Sequence, residues 1–210
     1  MLGYVLSAAA NAVMLAVCLT RWRRRVIGSG IIAALIAQLG WSVMLAAQGD
    51  DVRVAVGLAM SLHYLRDLIW ALVLIQCLAG SHDGWVVRAG RRLLFALMAL
   101  VALVALGAAA SLLPTASALL VRYLEPNRLW GGFALAAGGL VLVEQLARNT
   151  RSGRQWELKF VWLAIGGFYA WDLCVFSTAM LHGPTRDFWI AGGFVNTLLA
   201  GVLAIGLWRI

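Results

Sequence analysis

The sequence predicts an all-α polytopic membrane protein: a bundle of seven transmembrane helices, N-terminus outside and C-terminus in the cytoplasm. Three observations predict it. Hydrophobic residues make up 63% of the 210-residue chain and charged residues 12%, about half the usual globular share of charge. Mean hydropathy is +0.88. Continuous apolar windows, each of the roughly 17–25 residues a spanning helix needs, recur along the whole chain with short gaps between them. A soluble enzyme of this size would need far more polar surface, and disorder requires low hydrophobicity. A β-barrel would show alternating segments of about ten residues instead of unbroken runs rich in Ala, Leu and Gly. Residues 1–210 read as one membrane domain with no soluble domain or linker.

The first window, 2–20, is followed by Arg21, Arg23, Arg24 and Arg25. A cleaved signal peptide carries its charge ahead of the apolar run, so this segment is expected to stay as a first span. The second window is 27–47 and the third is 54–79, followed by Arg88, Arg91 and Arg92. The fourth is 93–113. After it, Pro114 to Asn127 forms the longest outer loop, with Leu119, Leu120, Val121, Tyr123 and Leu124 suggesting a short interfacial helix capped near Thr115. The fifth window, 129–147, precedes Arg148, Arg151 and Arg154. The sixth, 157–181, holds Lys159 at its start, and Arg209 follows the seventh, 188–208. Twelve cationic residues thus fall on one side, against Arg53, Arg122, Arg128 and Arg186 on the other. The positive-inside rule puts the first side in the cytoplasm. The net charge of +8 is therefore a matter of loops on one membrane face and does not point to nucleic acid.

Smaller features fit this scheme. Pro114, Pro126 and Pro184 are all expected in outer loops, leaving every span free of proline. Trp41, Trp85, Trp130, Trp156, Trp189 and Trp208 sit mostly near span ends, as an aromatic belt does. Gly-Gly-Phe recurs at 131–133, 166–168 and 192–194, with Gly138-Gly139 nearby, and implies close approach of the last three spans. Cys18, Cys77 and Cys174 lie in apolar runs without metal-ligand spacing and read as buried thiols. His82 and His182 read as solvated loop residues, and Glu144 as a contact for the basic inner loops.

Ionisable and amide side chains inside the spans are costly in hydrocarbon and tend to face partners or a cavity. The third span carries His63, Arg66 and Asp67, the sixth Asp172, the seventh Asn196 and the second Gln38. From the inner ends, Arg66 lies roughly 20 Å deep and Asp172 roughly 22 Å, with Gln38 and Asn196 about 18 Å, at 1.5 Å rise per residue. Arg66 is expected to pair with Asp172, with Asn196 as a further hydrogen-bond partner. Neighbours Arg66 and Asp67 diverge by about 100° and should pair poorly, whereas His63 and Asp67 share a face. Arg66 and Trp70, four apart, could form a guanidinium–indole contact. The cluster reads as a register-fixing ion pair, as a switch element, or as part of a proton or ion path. No phosphate loop, HExxH or GxSxG occurs, and the single lysine, Lys159, is not placed for a retinal Schiff base. No catalytic residue, metal site or cofactor is assigned.

Several stretches together resemble a known family. They are Leu65-Arg66-Asp67-Leu68-Ile69-Trp70, Val143-Glu144-Gln145-Leu146-Ala147-Arg148-Asn149-Thr150, Trp156-Glu157-Leu158-Lys159-Phe160, Gly166-Gly167-Phe168-Tyr169-Ala170-Trp171-Asp172 and Ala191-Gly192-Gly193-Phe194-Val195-Asn196. In order and spacing they resemble the N-terminal membrane region of the PEP-CTERM system histidine kinases, the PrsK family. The resemblance implies a bacterial inner-membrane sensor kinase of a two-component pair, linked to exopolysaccharide production and surface-protein sorting. It also implies a homodimer and a response regulator served by cytoplasmic kinase domains. No phosphoacceptor histidine or nucleotide-binding motif falls within residues 1–210. The outer loops are too short to fold a ligand-binding domain, so a stimulus would be membrane-borne, sensed within the bundle or delivered by a partner. The alternatives are a small transporter, which would favour broken helices and an inverted repeat, and a membrane scaffold or assembly protein.

Overall fold

A computed structural model describes residues 2–21, 26–47, 52–79, 118–150, 155–183 and 186–209. They form six helices: α1 (Leu2–Arg21), α2 (Val26–Ala47), α3 (Val52–Ala79), α4 (Ala118–Asn149), α5 (Gln155–His182) and α6 (Arg186–Arg209). No strand occurs among the described residues. All six helices are long and apolar enough to cross a membrane, which points to a multi-pass membrane protein. Backbone polar groups have no water to bond in hydrocarbon, so the helix satisfies them within each segment. The fourth predicted window, 93–113, lies outside the described residues, as do Trp85, His82, Pro114, Thr115 and Pro184.

Five helices agree with their predicted windows to within two residues at each end. The exception is α4. In place of a short outer helix followed by a separate span, the chain runs unbroken from Ala118 to Asn149 and carries Pro126 inside it. Proline removes one backbone donor and crowds the carbonyl four residues back, which is why a break was expected. The apolar window of α4 begins only at Leu129. Pro126 therefore sits in the helix's N-terminal extension, where the freed carbonyl need not face hydrocarbon.

Each helix packs on its sequence neighbour among those described, and α6 returns to pack on α1, closing a six-membered ring. The surface of this ring is apolar, unlike that of a soluble protein, and polar groups share its interior with an apolar core. Leu2, Val13, Leu163, Leu181 and Leu198 are exposed on the outside. Ser7, Asn11, Gln38, Ser42, His63, Arg66, Asp67, Asp172 and Asn196 are buried inside. Polar groups turn inward because the alternative is lipid.

Small residues set the closest approaches. A Cβ on Gly193 would stand 2.6 Å from the Gly3 carbonyl carbon and the Tyr4 nitrogen, so α1 and α6 touch backbone to backbone. The expected closeness of the last spans is present too, since Gly132 and Gly139 of α4 face the rings of Phe176 and Tyr169 on α5. At the end of α5, Gly183 adopts φ 82° and its N–H bonds the Ala179 carbonyl at 3.0 Å. That left-handed turn caps the helix, and glycine enters it without strain.

Candidate functional site

The interior of the ring holds a cluster built from α3 and α5. On α3, His63, Arg66, Asp67 and Trp70 recur at helical spacing and all point inward. On α5, Ile165, Phe168, Tyr169, Asp172 and Phe176 form the matching inner stripe. The Arg66 guanidinium is 1% exposed and joins the two helices. Its Nη2 donates to Asp172 Oδ2, and its Nε donates to Asp67 Oδ1 at 2.8 Å. The Trp41 indole of α2 covers it, 4.4 Å from guanidinium carbon to ring centroid. His63 Nε2 lies 3.5 Å from both Asp67 Oδ2 and Asp172 Oδ1. Aromatic neighbours fix the imidazole plane, with Trp41 at 5.3 Å and Phe176 at 5.4 Å between centroids. Tyr169 braces the pair of helices by donating its hydroxyl to the Asp67 carbonyl at 2.6 Å.

A second, uncharged cluster joins α1, α2 and α6. Gln38 Nε2 donates to Asn196 Oδ1 at 3.0 Å, and Asn196 Nδ2 donates to the Gly192 carbonyl at 2.7 Å. The Ser7 and Ser42 hydroxyls are 3.0 Å apart, and Asn11 Nδ2 donates to the Ser7 carbonyl at 2.8 Å. Tyr4 closes the same side by donating to the Trp189 carbonyl at 2.5 Å.

The expected cluster residues are thus all buried, but they divide into two groups. Arg66 and Asp172 are in direct contact, and His63 joins them with Asp67. Asn196 does not bond the ion pair: its position on α6 turns it to Gln38. Arg66 and Asp67 do pair, against expectation, because the long guanidinium stem curls around the helix to its neighbour's carboxylate. Arg66 lies over Trp41 and not Trp70, whose ring stacks 6.3 Å from Phe168. Trp41 is consequently a core residue at 2% exposure and leaves the belt, while Trp130, Trp156 and Trp208 are exposed as a belt requires. Trp189 is half-buried beside His63. Of the thiols, Cys18 is buried, but Cys174 is exposed on the outside of α5. Glu144 pairs with Arg148 one turn on, at 2.6 Å.

Sequence reasoning passed over Tyr4, Ser7, Asn11, Ser42 and Tyr169. Ser7 and Asn11 stand four apart within an apolar run, a spacing that could have marked an inward polar stripe. Tyr169 offers no such signal, since its role depends on the position of another helix.

Beside the charged cluster lies a cavity of about 10 Å³, room for about one water. Its walls are largely aromatic, including Tyr4, Trp41, Trp171 and Trp189, and His63 and Asp172 form its polar side. Several buried polar atoms nearby have no hydrogen-bond partner among the described residues: Trp41 Nε1, His63 Nδ1, Arg66 Nη1 and Asp67 Oδ2. With neutral imidazole and both carboxylates ionised, the single arginine would leave one uncompensated negative charge in the interior, which a shared proton or a bound cation would balance. Such a charge is expensive.

No protein-family model, curated protein or solved structure matches the chain. The fold and site define it as a helical, apolar-surfaced bundle of the multi-pass membrane kind with charged residues in its interior.

Proposed function

We propose that the chain is the membrane-embedded input module of a bacterial two-component sensor histidine kinase of the PEP-CTERM and exopolysaccharide-linked class. The module has seven spans, counting the window 93–113, with its N-terminus outside and its C-terminus in the cytoplasm of an inner-membrane protein. It works as a homodimer whose kinase domains lie beyond Ile210 and serve a response regulator. One observation carries this reading. Three of the five stretches that resemble the sensor-kinase family bring polar residues together inside the ring: Arg66, Asp67, Tyr169 and Asp172 at one cluster, Asn196 at the other. A resemblance confined to lipid-facing or loop positions would lack that coherence.

The mechanism is a change in helix packing. The Arg66–Asp172 pair ties α3 to α5, and α5 packs on α6, the helix that leads to Ile210. A stimulus that binds one packing arrangement better than another shifts the population between them. Breaking or loosening the ion pair moves α5 relative to α3 and carries α6 with it, a local electrostatic event read out at a distance.

The test is phosphotransfer in native membranes containing the full-length protein. Asp172→Asn is expected to change response-regulator phosphorylation at least threefold at unchanged membrane abundance. Unchanged phosphorylation, or a reporter fusion placing Ile210 outside the cell, overturns the reading.

A further inference from the structure

We propose that His63, Asp67 and Asp172 form a binding site for a divalent cation of the zinc class, with a fourth position open to the neighbouring cavity. The proposal stands on the geometry of the cluster and holds whether or not the chain signals.

The donor set comes first. One imidazole nitrogen and two carboxylate oxygens suit zinc and other first-row divalent metals, which favour imidazole, over calcium or magnesium, which favour oxygen alone. The three donor atoms lie within 4.8 Å of one another and all three residues are buried. Their spacing fits an ion better than a hydrogen bond. The His63 nitrogen is 3.5 Å from each carboxylate oxygen. That exceeds the roughly 2.7–3.2 Å of an N–H···O bond. Metal bonds of about 2.0–2.1 Å at tetrahedral angles separate neighbouring ligand atoms by about 3.4 Å.

A second observation is independent of spacing. Asp67 Oδ2 has no hydrogen-bond partner among the described residues although Asp67 is 1% exposed, and it faces His63 Nε2. Arg66 accounts for this orientation. It bonds Asp67 Oδ1 and Asp172 Oδ2, the opposite oxygens, and so turns the remaining two toward the imidazole; its Nη2 also lies 3.5 Å from His63 Nε2, a contact that the ion replaces on binding. Groups behind a metal site commonly hold its ligands this way. The aromatic packing of His63 does the same for the ring.

Charge and space agree with the assignment. With neutral imidazole and both carboxylates ionised as ligands, the cluster carries one net negative charge. A divalent ion whose bound water has lost a proton brings the sum to zero, and metal-bound water loses its proton far more readily than free water. The cavity that accommodates that water is about 10 Å³, is bounded by two of the three ligands, and leaves the open fourth position that separates a reactive or responsive site from a closed structural one.

The experiment uses the chain purified in detergent, stripped with a chelator and titrated with cobalt(II) as a spectroscopic stand-in for zinc. One equivalent per chain is expected, with the visible absorption of a four- or five-coordinate nitrogen–oxygen site that zinc abolishes. His63→Gln and Asp172→Asn should each weaken binding at least tenfold, while Glu144→Gln, which removes an exposed carboxylate, leaves it unchanged. Helical circular dichroism and a single size-exclusion peak establish that each variant is folded. If a variant unfolds, the wild-type stoichiometry and spectrum decide the matter. Less than a tenth of an equivalent bound, a six-coordinate spectrum, or equal affinity in folded His63→Gln and Asp172→Asn proteins overturns the site and leaves a proton to balance the cluster.

Discussion

The two polar clusters inside the ring solve the same problem by different means. Between α3 and α5 the contact is ionic: Arg66 holds two carboxylates and is itself roofed by an indole. Among α1, α2 and α6 it is neutral: amides and hydroxyls bond one another or the helix carbonyl one turn back. The neutral cluster can lose a member at modest cost, because serine and asparagine fall back on their own backbone. The ionic cluster has no such retreat, since a charge left alone in a low-dielectric interior keeps its full desolvation penalty. One region therefore sets register cheaply, and the other stores a large, conditional energy that a ligand or proton could redirect.

The sharpest way to break this contrast is to remove one ion. Arg66→Met leaves the Asp67 and Asp172 carboxylates without their counter-charge and is expected to destabilise the bundle by about 3–5 kcal/mol, read by denaturant unfolding in micelles. Replacing Arg66, Asp67 and Asp172 together by Met, Leu and Leu should restore most of that loss, because a whole buried ion group often exchanges for apolar residues at little cost. A triple variant as unstable as the single one would mean that the cluster stabilises beyond its own desolvation.

A steric probe tests the brace behind it. Gly139→Leu must displace the Tyr169 ring, which lies against Gly139, and should cost about 1–3 kcal/mol by overpacking. Tyr169→Phe keeps the ring and removes only the bond to the Asp67 carbonyl, with an expected loss of about 1 kcal/mol. Thermal unfolding of the two variants separates space from hydrogen bonding. Equal losses would place the whole effect in the hydroxyl.

What the sequence made legible follows from which quantities it carries. Span positions come from hydropathy, and depth comes from counting residues, so Arg66 and Asp172 could be matched across antiparallel helices before any coordinates. Azimuth is different. These helices are apolar on nearly every side, because the outward face meets lipid and the inward face meets other helices, so no amphipathic stripe says which way each one turns. Asn196 shared the depth of the ion pair but not its direction, and Trp41 looked like a belt residue until α2 was seen to aim it at Arg66. Arg66–Asp67 pairing was missed for another reason: angular separation on a helix constrains short side chains, and a guanidinium on a long stem escapes it. The His63–Asp67 spacing was visible as one face of a turn, but the third donor, Asp172, comes from a helix more than a hundred residues away.

In the neutral cluster the expected energies are smaller. A double-mutant cycle with Gln38→Leu and Asn196→Leu should give a coupling of about 0.6–1.7 kcal/mol, the range of interhelical hydrogen bonds within membranes. A coupling above 3 kcal/mol would erase the distinction between the two regions, since the amide pair would then hold α2 to α6 as firmly as the ions hold α3 to α5.

The smallest effect belongs to an ion pair of the same chemistry in the opposite surroundings. Glu144 and Arg148 on α4 are four residues apart, bonded at 2.6 Å, and exposed by 54% and 72%. Glutamate one turn before arginine is the favourable order along a helix. Solvent and counterions screen such a pair, so Glu144→Gln should cost about 0.3–0.5 kcal/mol, falling further at high salt. Measured beside Arg66→Met in the same micelles, it separates charge from burial. A loss at Glu144 approaching that at Arg66 would mean that this end of α4 is covered, by lipid headgroups or by another chain, and that the water-facing reference for the comparison does not exist.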